Sequence, residues 1–315
     1  MSESFSQELL SSLVCAHVPV DGELLRFEHV PTGHFNTTLF VETPGNDLVL
    51  RIAPPDDAGF VFYEAGMMAQ EPGIHAVIRE RTDAPVAAIV AYDDSRSLVD
   101  RDYLIMERLP GVPLTHFQCT RQQRDRVLEQ IGHYLRQIHG IKADTYGYLG
   151  EHNCMGPQED WPSAFRIMWH KMTDDIVGSG YYDRDEEAYV KAILEKHWQH
   201  FERPVTSRLL HMDIWDQNIL VGADGNVTGI VDFDRAVWGD KEIEFAILDY
   251  CGISEPAFWR GYGMERDTSD GARIRQLFYL LYEVQKYIVI YHYRNREGRS
   301  CDQYKQQVMN LFSQL

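Results

Sequence analysis

Two periodicities divide this chain. Residues 4–17 place Phe5, Leu9, Leu10 and Leu13 on one side of a short predicted helix. From 24 to 52 the spacing turns strand-like, in the runs "LLRFEHV", "TTLFVET" and "DLVLRIA", separated by the turn formers "PTGHFN" and "PGND". The stretch "GFVFYEAGMMAQE" predicts a helix near 59–71, and "APVAAIVAYD" and "RDYLIMERL" predict two more strands. Five strands with one helix after the third describe a compact antiparallel α+β lobe. Pro110, Gly111 and Pro113 then punctuate the chain. Beyond them, Thr120 can cap a helix in which Val127, Ile131, Leu135 and Ile138 recur at helical spacing. Helical patterns dominate from there, with amphipathic helices near 271–293 and 301–315, except for short strands framing 209–234. The predicted organisation is a sheet lobe over 1–106, a hinge at 107–113 and a helical lobe over 114–315.

One segment breaks the apolar pattern. In "LLHMDIWDQNILV", residues 209–221, strand-forming flanks enclose His211, Asp213, Asp216 and Asn218. An unpaired carboxylate is costly in a buried strand, and an openly broken local rule marks either a functional site or a mistaken assignment of burial. Together with "TGIVDFDRAVWGD" at 228–240 the order is His-x-Asp-x4-Asn, a strand, a turn, a second strand and Asp-x-Asp. Phosphoryl transfer requires such a set. Asp213 is placed to accept the proton of an attacking hydroxyl, while Asn218 and Asp232 offer the oxygen ligands that Mg²⁺ prefers. The protein-kinase catalytic loop has the same Asp-to-Asn spacing. His211 reads as a structural residue that orients the loop.

Composition narrows the class. The 315 residues suffice for two lobes with real cores. A net charge of −18 opposes nucleic-acid binding. It suits steering of cationic small molecules toward a cleft, though solubility accounts for it equally well. No apolar run reaches membrane-spanning length, and the first residues lack a basic region followed by an apolar core. The five cysteines are scattered, without CxxC spacing, which predicts reduced thiols and a cytoplasmic location.

"HMDIWDQNILV" followed by "GIVDFDRAVWGDKEIEFA" resembles the signature of the aminoglycoside phosphotransferase and choline kinase superfamily. "IGHYLRQIHGI" is similar to the helix preceding the catalytic region in such enzymes, and "DYLIMERLPGVPL" to their hinge strand. The resemblance covers about residues 24–260. It implies a bilobal, protein-kinase-like α+β fold and an ATP-dependent small-molecule kinase using Mg²⁺, with GTP left open as donor. By the resemblance Asp213 is the base, Asn218 and Asp232 are metal ligands, and Glu107 and Leu109 offer backbone groups to adenine. Asp234 matches the second acid of the Asp-x-Asp pair, as metal-site support or loop anchor.

The departure lies at the nucleotide lysine, where "DLVLRIAPP" carries Arg51 and no lysine occurs before Lys142. Arg is the better bidentate phosphate partner but differs in geometry. Glu64 is the expected ion-pair partner of Arg51, with Glu71 second because it falls beside Pro72. The phosphate loop "HVPTGHFNTT" carries one glycine, Gly33, and Asn36 resembles a family position after that turn. Candidate acceptor residues are Trp215, Trp238, Glu244, Glu255 and Trp259, with Asp240 and Asp249 beside them: acids and aromatics suited to a cationic hydroxyl compound. The alternative is a degenerate kinase that binds nucleotide or a small ligand without turnover. A protein kinase fits poorly, for Asp-Phe-Gly, Ala-Pro-Glu and room for an activation loop are all missing.

Overall fold

The computed structural model describes residues 4–19, 25–30, 35–43, 45, 47–56, 59–150, 152 and 154–315. Strands β1 (Arg26–His29), β2 (Thr37–Glu42), β3 (Leu48–Ile52), β4 (Ile89–Asp93) and β5 (Tyr103–Glu107) form an antiparallel sheet ordered β1-β2-β3-β5-β4. Strand alternation gives the sheet two faces. Leu39, Val41, Leu48, Leu50 and Ile52 are buried together with Leu10, Leu13 and Val14 of helix α1 (Gln7–Cys15). The intervening Thr38, Phe40, Val49 and Arg51 line a cleft on the other face.

Helix α2 occupies Glu71–Arg81, not the expected 59–71. Gly59 and Gly66 hold positive φ angles of 74° and 70°, and only a short 3₁₀ turn at Met67–Gln70 precedes α2. Pro72 does not end a helix but sits in the first turn of α2, where its missing N–H has no helical partner to lose. The strand expected from "APVAAIVAYD" begins only at Ile89.

The rest of the chain is mostly helical. Strand β6 (Val112–Pro113) joins β8 (Ile219–Val221) and β9 (Val227–Ile230), while β7 (Arg208–Leu210) pairs with β10 (Val237–Gly239). Around them pack α3 (Arg121–Ile138), α4 (Trp161–Gly178), α5 (Arg184–Lys196), α6 (Lys241–Tyr250), α7 (Pro256–Tyr262), α8 (Asp270–Ile290) and α9 (Gly298–Phe312). The predicted Thr120 cap is present as a reciprocal capping box with Gln123. The α3 stripe Val127, Ile131, Leu135 and Ile138 is buried with Leu209, Ile214 and Ile219, so one core frames both sides of the 211–218 loop. A sheet lobe and a larger helical lobe make this the expected bilobal, protein-kinase-like α+β fold. No helix of the described residues is long and apolar enough to cross a membrane.

Helices α3 and α7 cross at two glycines. A Cβ on Gly132 would lie 2.1 Å from the Phe258 carbonyl oxygen and 2.7 Å from the Tyr262 nitrogen. Both are backbone atoms, so no side chain can swing away. Gly132→Ala is therefore expected to lower stability by about 3 kcal/mol, the upper end of overpacking costs. Urea denaturation checks this; an unchanged midpoint would mean that α7 shifts freely.

Candidate active site

The loop between β7 and β8 is held in place by buried polar contacts. Glu244, fully buried on α6, accepts the backbone N–H of His211 at 3.1 Å and of Met212 at 2.8 Å, and pairs with His139 at 2.7 Å. Burial alone would raise the Glu244 carboxyl, but His139 and the loop donors outweigh it and hold it below its ordinary value. Arg235 donates to the Met212 carbonyl at 2.8 Å. His211 Nδ1 accepts the Asp213 N–H at 3.2 Å, which leaves its Nε2–H to donate to the Val231 carbonyl at 3.0 Å. These contacts stabilise backbone that side chains otherwise avoid, since Met212 has φ 69° and Asp232 φ 74°. His211 thus ties the loop to the strand that leads into Asp232.

Asp213 opens into the cleft. Its Oδ2 accepts from Asn218 Nδ2 at 2.9 Å, and the Lys286 ammonium of α8 lies 3.7 Å from Oδ1. Asn218 also donates from Nδ2 to the Asp213 carbonyl at 2.9 Å, which orients its amide oxygen away from that residue. Arg51 spans the acids across the cleft. Its Nη1 donates to Glu71 at 2.6 and 2.8 Å, and its Nη2 to Asp232 at 2.7 Å and Asp234 at 2.9 Å. A single ammonium has no such fork, which gives a physical reason for Arg at this position.

Glu71, not Glu64, is therefore the helix acid on Arg51. Starting α2 at Glu71 turns that carboxylate toward β3, whereas Glu64 precedes the helix, accepts the Val61 N–H at 2.8 Å and pairs with Arg294. Burial pushes the Glu71 carboxyl up, but Arg51 and His75 more than offset it, so the net shift is downward. Asp234 is buried beneath Arg51 and also accepts from Asn36 at 3.2 Å. Burial, then Asp232, raise its carboxyl well above the ordinary range. Burial likewise raises Asp232, with Arg51 opposing and Asp213 and Glu71 adding to it.

Arg51, Asp213, Asn218, Asp232 and Asp234 border one cleft of about 820 Å³. Its far end is an apolar slot of Val49, Ala87, Met106, Leu109 and Ile230, with Glu107 at its edge. The Glu107 N–H is already donated to Ala88 O at 2.9 Å. Gly33 lies outside the described residues.

Of the expected acceptor residues, only Trp215 lines the cleft. Glu244 holds the loop instead. Trp238 sits on β10 against β7. Glu255 pairs with Arg121 and Arg124. Trp259 donates to Ser254 at 3.0 Å and packs on Phe245 and Phe258. Asp240 caps α6, and Asp249 pairs with Arg266 at 2.6 Å. The cleft wall comes instead from the far end of α8, whose last turn widens to a π turn at Tyr291–Asn295. Tyr250, Lys286, Tyr287, Tyr291 and Arg294 line it, and none was singled out from the sequence. A signal existed: Glu283, Gln285 and Lys286 interrupt the otherwise apolar run 277–290 and are all buried.

The model of the phosphotransferase enzyme family, APH, matches residues 26–277. The chain belongs to that family. It is the class of enzyme that the catalytic-loop signature implied. Among curated relatives, "Probable ketoamine kinase" of Vibrio cholerae is 29% identical over 248 residues, covering 75% of this chain and 77% of the relative. A ketoamine kinase of Vibrio parahaemolyticus, named with the same qualifier, is 28% identical over 196 residues, but the match spans only 61% of that protein and 58% of this chain. The aminoglycoside phosphotransferase APH(4)-Ia shares the fold with a TM-score of 0.67 at 17% identity, covering 97% of this chain and 98% of that one. A thermostable mutant of APH(4)-Ia has been solved with AMP-PNP and hygromycin B.

Proposed function

We propose that this family member transfers the γ-phosphoryl group of ATP to a hydroxyl of a small molecule. The convergence of Asp213, Asn218, Asp232 and Arg51 on one cleft carries this reading. Residues 107–113 serve as the hinge, with the apolar slot beside Glu107 and Leu109 taking adenine. Asp213, partly open and held by Asn218, accepts the proton as the acceptor oxygen bonds to the γ-phosphorus and the bond to the β-phosphate oxygen breaks. Glu244 and His211 keep that carboxylate aimed, and Arg51 lines the cleft beside it, where its guanidinium would exchange an aspartate for a phosphate oxygen.

Magnesium fits the donor set. Asn218 donates to Asp213 through its amide nitrogen, which leaves its oxygen for a cation, and about two-fifths of the Asp232 side chain is exposed. Mg²⁺ takes one or two protein oxygens plus phosphates and water, and bound there it would neutralise charge on the β- and γ-phosphates.

Ketoamines are the first acceptors to test, because relatives carry that name. ADP release with Mg·ATP, measured over a panel of ketoamines, aminoglycosides, choline and amino alcohols, is expected to identify an acceptor whose product gains one phosphoryl group in mass. Nucleotide binding by calorimetry with no transfer to any acceptor would favour the degenerate-kinase reading instead.

A further inference from the structure

The acceptor end of the cleft differs in charge from the surface as a whole. The chain carries a net −18, yet among the described residues the carboxylates bordering this end already face cations. Glu64 pairs with Arg294, and Asp216 with Arg124 at 2.8 Å. Behind the wall Glu283 is held between Arg235 at 2.8 Å and Lys286 at 2.5 Å. That leaves Asp213, the base, with Lys286 beside it. A polycation needs several carboxylates free to pair with its amines, and each one here would first have to surrender an existing partner.

The wall itself is aromatic and pre-set. Tyr287 and Tyr291, one turn apart on α8 and its π extension, both stack on Tyr304 of α9, with ring centroids 4.9 and 5.3 Å away. Tyr250 of α6 approaches Tyr287 at 6.0 Å, and Trp215 stands on the catalytic loop. Burial, then Glu283 and Asp213, hold the Tyr287 phenol far above its ordinary value, so that ring stays uncharged. An aromatic wall can also receive an ammonium, but Lys286 already lies 5.0 Å from the Tyr287 centroid and Arg294 4.7 Å from that of Phe35. A second cation would meet like charge there.

The geometry points to an acceptor that carries a flat apolar ring face and no polycationic body, seated against Tyr250 and Tyr287 with its hydroxyl toward Asp213. This rests on the phosphotransferase reading for the reaction, but not for the binding. A ring face is offered by an aryl group or by a sugar ring, and both stack on aromatic side chains.

The test uses the full chain with Mg·ATP and three probes: 1-anilino-1-deoxyfructose, fructose and kanamycin. Phosphate transfer is followed by ADP release, and binding by calorimetry from low to high salt. The aryl ketoamine is expected to exceed kanamycin at least tenfold in kcat/KM, with an affinity that changes little with salt. Fructose alone separates the sugar face from the aryl face. Tyr250→Ala, at a half-open position, is expected to raise the KM of the aryl ketoamine about tenfold while leaving that of ATP unchanged, and Tyr250→Phe is expected to restore it. Faster transfer to kanamycin would overturn this inference and leave the phosphotransferase reading intact. Salt-insensitive binding of the aryl ketoamine, weakened by Tyr250→Ala but with no transfer to any probe, would support it while the proposed reaction failed. Failure of both anilinodeoxyfructose and fructose to bind would overturn it outright.

Discussion

Asp213→Asn is expected to lower kcat with the true acceptor by about 10²–10⁴-fold, the range general-base catalysis contributes, while nucleotide affinity stays within a few-fold. The amide has the shape of the carboxylate, and its oxygen can still accept from Asn218 Nδ2, so the loop keeps its form. What it loses is the capacity to take a proton. It also leaves Lys286 facing a neutral group, although Glu283 still holds that ammonium. Single-turnover kinetics and calorimetry with Mg·ATP separate the two effects. A variant with kcat within threefold of wild type would mean that Asp213 is not the base, and loss of nucleotide binding together with kcat would point to a collapsed loop.

The catalytic loop was legible because its chemistry and its frame are both local. Polar residues between two apolar strands can be read from a dozen positions, and the buried frame of Leu209, Ile214 and Ile219 is as those flanks require. The partner of Arg51 was misread for a local reason too. Pro72 carries opposite meanings at the end and in the first turn of a helix, and the choice between them set which glutamate meets the guanidinium. The acceptor end was not legible, because it is assembled from Trp215, Tyr250 and the 286–294 turn, positions tens of residues apart, whose tyrosines look like ordinary core in sequence. Glu244 illustrates the converse. A carboxylate downstream of the Asp-x-Asp pair suggested ligand binding, but its geometry makes it the acceptor for two loop N–H groups.

Replacing Arg51 should have the largest effect on stability. Arg51→Met removes the one guanidinium that Glu71, Asp232 and Asp234 share. Glu71 and Asp234 are then left buried with like charges nearby, and breaking a buried pair on one side costs about 3–5 kcal/mol. Arg51→Lys should recover only part of this, because one ammonium cannot reach Glu71 on one side and both aspartates on the other. A double-mutant cycle distinguishes lost attraction from stranded charge. In the wild-type background Glu71→Gln is expected to destabilise, because it discards a partner of Arg51. In the Arg51→Met background the same change should stabilise, because it removes an uncompensated buried carboxylate. Chemical denaturation of the four proteins measures the sign directly. If Glu71→Gln has the same effect in both backgrounds, Arg51 and Glu71 are not energetically coupled, and the fork does not hold this end of the cleft together.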